Sequence, residues 1–168
     1  MKQRKSLLYL AQGGVIAALY TALTVALQPI SFGPVQCRLS EVLTILPVYT
    51  PAAIPGLTIG CFLSNLISLG TNPAGGWDLL FGPLATGAAA VLSYYLRNVR
   101  VKGLPLAATI PPIVLNAVIV GAELYVVYGG FPWYVHMALV GAGQAVACFL
   151  GGLLLAATLE KTGLSRRL

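Results

Sequence analysis

Long stretches without a single charged side chain constrain this chain more than any other feature. They run from Ser6 to Cys37, Val42 to Trp77, Leu79 to Leu96, Gly103 to Ala122 and Leu124 to Leu159, which are 32, 36, 18, 20 and 36 residues. A helix needs about 20 residues to cross roughly 30 Å of hydrocarbon, so five or six crossings fit and two or three leave apolar chain without a place. With 58% of the 168 residues hydrophobic and 8% charged, and a mean hydropathy of +0.86, the surface of a water-soluble domain is excluded. The expected fold is all-α: a polytopic membrane protein whose residues 1–168 form one integral membrane domain.

Breaks in the apolar runs divide it into six predicted helices. The first covers about Leu8 to Leu27 and ends where Gln28, Pro29, Ser31, Phe32, Gly33 and Pro34 make continued helix costly. The second starts near Arg38 or Leu39 and is short or broken, because Pro47, Pro51 and Pro55 interrupt it. Such a break is tolerated where freed carbonyls find protein or water, as beside a cavity. The remaining four are expected over Ala53 to Leu69, Trp77 to Leu96, Leu104 to Val127 and Pro132 to Leu159.

The formal charge of +6 would suit a nucleic-acid binder only if the basic residues lined a surface. Instead Lys2, Arg4 and Lys5 precede the first run, Arg97, Arg100 and Lys102 fill one connector, and Lys161, Arg166 and Arg167 close the chain. Short basic connectors stay in the cytoplasm, so both termini are expected there. The segments Gln28 to Cys37, Gly70 to Gly76 and Tyr128 to Phe131 then face outside. The run after Lys5 is long and lacks a cleavage segment, which favours an uncleaved first helix over a signal peptide. Nucleic acid is not an expected partner.

Cys37, Cys61 and Cys148 are too scattered for a disulfide framework or a zinc site, and with one histidine in the chain no metal is expected. Neither a phosphate loop, GxSxG nor HExxH occurs. No catalytic residue is therefore assigned, and uphill transport would need energy from another subunit or an ion gradient.

Polar residues inside the apolar background carry the remaining information, because a charge near the bilayer centre costs about 2.5–3.5 kcal/mol and needs a partner, water or a ligand. Arg38 and Glu41 stand three apart, which permits either an anchoring salt bridge or a ligand-reading carboxylate held ionised by the arginine. Glu123 and Asn116, seven apart, share a stripe and offer an acceptor and an amide to a polar heterocycle; alternatively Glu123 reaches headgroups and Asn116 links helices. Asp78 is either a ligand contact or an N-terminal helix partner. Trp77, Tyr125, Tyr128, Trp133 and Tyr134 suit an interfacial belt, with one or two free to stack on a flat ligand. His136 is read as an interhelical hydrogen-bonding group before a proton relay, and Asn65 as either a helix contact or a pocket group. Finally Gly14, Ala18, Ala22 and Ala26 recur every four positions, a small-residue row suited to close packing within the bundle or to docking of another membrane subunit.

The runs QPISFGPVQCRLS from Gln28 to Ser40, EVLTILPVYTPAAIPGLTIGCFLSNLIS from Glu41 to Ser68, and WDLLFGPLATGAAA from Trp77 to Ala90 resemble the QueT transporter family, substrate-binding S components of energy-coupling factor transporters assigned to queuosine precursors. The likeness extends over nearly the whole chain. It implies a multi-pass protein of the bacterial cytoplasmic membrane that captures a 7-deazaguanine base, in cyano or aminomethyl form, or queuine. It further implies a coupling transmembrane protein and two cytoplasmic ATPases as partners, with ATP consumed by those subunits and no cofactor bound by this chain. Under this resemblance Gly14, Ala18, Ala22 and Ala26 become the docking row. The ligand is assigned to Glu41, Glu123, Asn116, Arg38 and Asp78, with Trp77, Trp133 or Tyr125 stacking, and closure is assigned to Gln28 to Cys37 and Gly70 to Gly76. An S component for another vitamin and a stand-alone secondary transporter are the competing readings, since shared architecture does not determine ligand chemistry.

Overall fold

The computed structural model describes residues 2–33 and 36–166, and no β-strand occurs among them. The helices are α1 (Lys2–Ala26), the short α2 (Gln28–Ser31), α3 (Ala53–Ile67), α4 (Gly75–Tyr95), α5 (Ile110–Tyr128), α6 (Trp133–Gln144) and α7 (Gly152–Lys161). A 3-10 helix, Leu39–Val48, separates α2 from α3, and a π-helical stretch, Ala145–Gly151, joins α6 to α7 without a break. Pro34, Val35 and Arg167 lie outside the described residues, so the outer segment expected to close over a ligand is described only in part.

Among the described residues, four helical stretches are long and apolar enough to cross a membrane: Gln3–Ala26, Gly75–Asn98, Leu106–Tyr128 and Trp133–Lys161, of 24, 24, 23 and 29 residues. At 1.5 Å per residue they reach roughly 34 to 44 Å. The other two expected spans are shorter, with 10 residues in Leu39–Val48 and 15 in Ala53–Ile67. Pro47 explains much of the difference, because it lacks an N–H and its ring crowds the carbonyl four residues back. A three-residue repeat is reinforced by Thr44 Oγ1, which donates to the Glu41 carbonyl at 2.6 Å.

Close contacts give the helix directions. A Cβ on Gly56 would lie 2.8 Å from the Gly13 carbonyl oxygen, and one on Gly60 would lie 2.8 Å from Tyr20 Cβ and 2.9 Å from the Ala17 oxygen. Residue numbers rise together along this contact, so α1 and α3 are parallel and touch backbone to backbone through two glycines four apart. Thr21 Oγ1 also donates across it to the Gly60 carbonyl, at 3.1 Å. Gly82 meets Cys61 while Gly87 meets Thr58, making α4 antiparallel to α3; Gly121 meets Met137 and Gly141 meets Ala117, making α6 antiparallel to α5.

Leu39–Val48 returns between these helices. Its start lies beside the last third of α1, where Thr24 donates to Ser40 at 2.6 Å, and just past its end Thr50 donates to Gln12 at 3.0 Å. Eight of its ten residues are buried, so it is the centre of the bundle. Apolar packing around it includes Leu43 and Leu46 against Ile16, Tyr20, Leu57 and Ala90.

The row Gly14, Ala18, Ala22 and Ala26 is exposed throughout. Packing against α3 uses the neighbouring Gly13 and Ala17 instead, so the row is not the intramolecular contact that small residues alone would permit. At the end of the bundle where α1 starts and α4 and α7 finish, Arg100 Nη1 donates to Glu160 Oε1 at 2.6 Å and to the Gly103 carbonyl at 2.9 Å. Tyr49 also donates to Glu160 Oε1, at 2.9 Å. Burial first, and then the adjoining Glu160 carboxylate, push the Tyr49 phenol above its ordinary value, which keeps it a donor at any neutral pH.

Candidate functional site

The polar groups of the sequence gather in the half of the bundle opposite Glu160. Arg38 precedes the 3-10 helix in extended backbone, with φ −84° and ψ 108°, and is 2% exposed. Its guanidinium lies 5.0 Å from the centre of the Phe32 ring and donates to the Asp78 carboxylate in the first turn of α4. The expected pairing of Arg38 with Glu41 is therefore replaced by a pairing with Asp78. Spacing of three stacks side chains only within a helix, and Arg38 stands outside one.

Asp78 is the hub of this cluster. Its Oδ2 accepts from Asn72 Nδ2 at 2.7 Å as well as from Arg38, and its carbonyl accepts from Asn65 Nδ2 at 2.6 Å. The carboxylate is thus engaged by side chains, while Oδ1 has no partner among the described residues. Gly82 makes the assembly possible: a Cβ there would lie 2.6 Å from Asn65 Nδ2 and 2.7 Å from Asp78 Oδ1. Removing one member of a buried ion pair typically costs about 3–5 kcal/mol, because the other charge stays buried.

Glu41 is fully buried. Its Oε1 accepts from the Tyr20 hydroxyl and, at 3.5 Å, from Thr86, whereas Oε2 is unpartnered among the described residues. Behind it Cys148 Sγ lies 3.6 Å from the Glu41 carbonyl and 3.3 Å from Gln144 Oε1. The π-helical stretch delivers Cys148 there, and such wide turns frequently mark functional sites.

Glu123 lies near the end of α5, buried, and neither carboxylate oxygen has a partner among the described residues. It borders a groove of about 390 Å³ walled by Trp77 and Phe81 of α4 and by Val118, Ile119, Ala122 and Val126 of α5. Trp77 and Phe81 stack with ring centres 5.8 Å apart. Trp77 directly precedes Asp78 in α4, so the groove adjoins the Asp78 cluster.

The other expected site residues are distributed differently. Asn116 is buried on the Glu123 stripe, but its Nδ2 donates at 2.9 Å to Pro112 of its own helix. Tyr125 and Trp133 are exposed, the first against His136 and the second against Tyr134. Neither is brought to the Asp78 cluster. His136 Nε2 lies 3.1 Å from the Gly129 carbonyl and its ring meets Phe131, which ties the turn between α5 and α6. Four contributors escaped the sequence reading. Tyr20 and Thr86 bond Glu41, Asn72 bonds Asp78, and buried Gln36 holds an unpartnered Nε2. For Tyr20 the available signal is a hydroxyl four residues before that of Thr24, on the same face of α1.

Among the described residues the unpartnered buried side-chain atoms are the acceptors Glu41 Oε2, Asn65 Oδ1, Asp78 Oδ1 and both Glu123 oxygens, the Ser68 hydroxyl and His136 Nδ1, and one obligate donor, Gln36 Nε2. An arrangement so rich in acceptors complements a ligand rich in N–H groups.

Long apolar helices around this buried polar centre define a multi-pass helical membrane protein. The match to the QueT transporter family covers residues 10–161. The chain belongs to that family, whose members are transporters. Over 75 residues it is 39% identical to the queuosine precursor transporter QueT of Lactococcus lactis subsp. cremoris (strain MG1363), a match that spans 43% of this chain and 41% of that protein. No solved structure matches.

Proposed function

We propose that this chain is a substrate-binding S component that captures a queuosine precursor, a 7-deazaguanine base or queuine, outside the cell and delivers it inward with an ATP-driven energy-coupling module. The observation that carries the reading is the acceptor-rich cluster around Glu41 and Asp78 in a chain of the QueT transporter family. A 7-deazaguanine ring presents adjacent ring N–H and amino donors, which one carboxylate accepts together, and a carbonyl that suits Gln36 or Arg38. Trp77 beside Glu123 offers a stacking wall. Closure is assigned to the outer segments; Gln28 Nε2, at the start of α2, already donates to Thr71 between α3 and α4.

The partners of this proposal are a coupling transmembrane protein, docked on the exposed Gly14, Ala18, Ala22 and Ala26 row, and two cytoplasmic ATPases that consume the ATP. The membrane is the bacterial cytoplasmic membrane, with both termini inside, as the basic residues at the Glu160 end favour. The test is a titration of the detergent-purified chain with 7-deazaguanine bases, queuine, guanine, riboflavin and thiamine, alongside E41Q. Selective saturation by a deazaguanine, weakened in E41Q, is expected; saturation by riboflavin or thiamine overturns the assignment. Uptake into liposomes is expected only when the coupling protein and ATPases are present, and flux without them overturns the coupling.

A further inference from the structure

We propose that Glu123 and the Trp77–Phe81 wall form a subsite for a protonated amine on the ligand, so that the protein prefers cationic over neutral members of one heteroaromatic class. The proposal rests on the queuosine-precursor reading and adds to it a rule of selection.

Charge among the buried groups carries the argument. Three carboxylates, Glu41, Asp78 and Glu123, share the half of the bundle that holds a single guanidinium, Arg38. Arg38 is committed to Asp78, and Glu41 is bonded by two hydroxyls. Glu123 is left with two bare oxygens at 7% exposure, beside a cluster whose one positive charge is already paired. A carboxyl so placed is held ionised only by a cation, and none of the described side chains supplies one.

The groove at Glu123 has the complementary form. Its remaining walls are apolar or aromatic, and its volume is within the range of small-molecule pockets, roughly 300–1,000 Å³. Trp77 lies in the first turn of α4 and Val126 near the end of α5, so the groove runs inward from the end of the bundle where α4 starts and α5 finishes. An ammonium arriving there gains the Glu123 charge and the faces of Trp77 and Phe81 together. A nitrile or hydrogen at the same ring position gains neither.

Binding of 7-aminomethyl-7-deazaguanine and 7-cyano-7-deazaguanine to the purified full chain tests this. The wild-type Kd ratio is expected to favour the amine by about tenfold or more, a difference of about 1.4 kcal/mol. In E123Q the ratio is expected to fall towards one, and E123D, which keeps the charge, should restore part of it. Helical circular dichroism and a single elution peak establish that each variant is folded. Equal affinities in the wild type, or an E123Q loss shared equally by both compounds, overturn the amine subsite while leaving the ring reading in place. Failure of the folded wild type to bind either compound overturns both.

Discussion

At the scale of single residues, the Arg38–Asp78 pair is the point of greatest leverage. Both groups are buried, so R38M strands the Asp78 carboxylate and should cost about 3–5 kcal/mol of stability, read by denaturant unfolding in detergent. R38M/D78N removes both charges and should recover at least half of that loss. A double variant no more stable than R38M counts against the pair as the cause. Gly82 predicts a second effect, since G82A forces a methyl against Asn65 and Asp78 and should weaken ligand affinity about tenfold. An unchanged titration would place the ligand elsewhere. Which charges the fold buries was legible in the sequence, because Arg38, Glu41, Asp78 and Glu123 stand within or beside long apolar runs. Who pairs with whom was not. Asp78 is 40 positions from Arg38, and the hydroxyls serving Glu41 come from α1 and α4, so only the packing of helices reveals these bonds.

At the scale of elements, two faces of α1 do different work. The Gly13 and Ala17 face is closed by Gly56 and Gly60, so G60A drives a methyl into Tyr20 and Ala17 and should destabilise by about 1–3 kcal/mol. The Ala18 face is open, so A18L should leave stability within about 0.5 kcal/mol. If a coupling protein docks there, A18L should also abolish uptake while ligand titration stays unaltered; normal uptake would rule out that docking face. The spacing of small residues identified the outer row, but spacing alone does not say which of two adjacent rows meets α3. The end of α1 was legible from the punctuation at Gln28–Gly33, but the short α2, Gln28–Ser31, that forms inside that segment was not. The 3-10 form of Leu39–Val48 was visible only as a break, because Pro47 signals interruption without specifying what replaces the α-helix.

At the scale of the whole molecule, polarity is divided between two ends: buried carboxylates in one half, and the Arg100–Glu160–Tyr49 tie with the basic connector at the other. This arrangement predicts sidedness. On a background without native cysteines, a cysteine replacing Lys102 should react with a membrane-impermeant thiol reagent only from inside, and one replacing Gly130 only from outside; reaction of both from one side would overturn the topology. The centre of the molecule is the 3-10 helix that runs back between two parallel neighbours, and its geometry governs how the chain can lengthen. Each residue there turns the helix by about a third of a revolution and advances it by about 2.0 Å. A three-residue insertion in Leu39–Val48 would add about 6 Å yet restore every facing. A single-residue insertion would swing Glu41 away from Tyr20, so in this family length changes at the centre are expected to come in threes, where an α-helix would accept threes or fours.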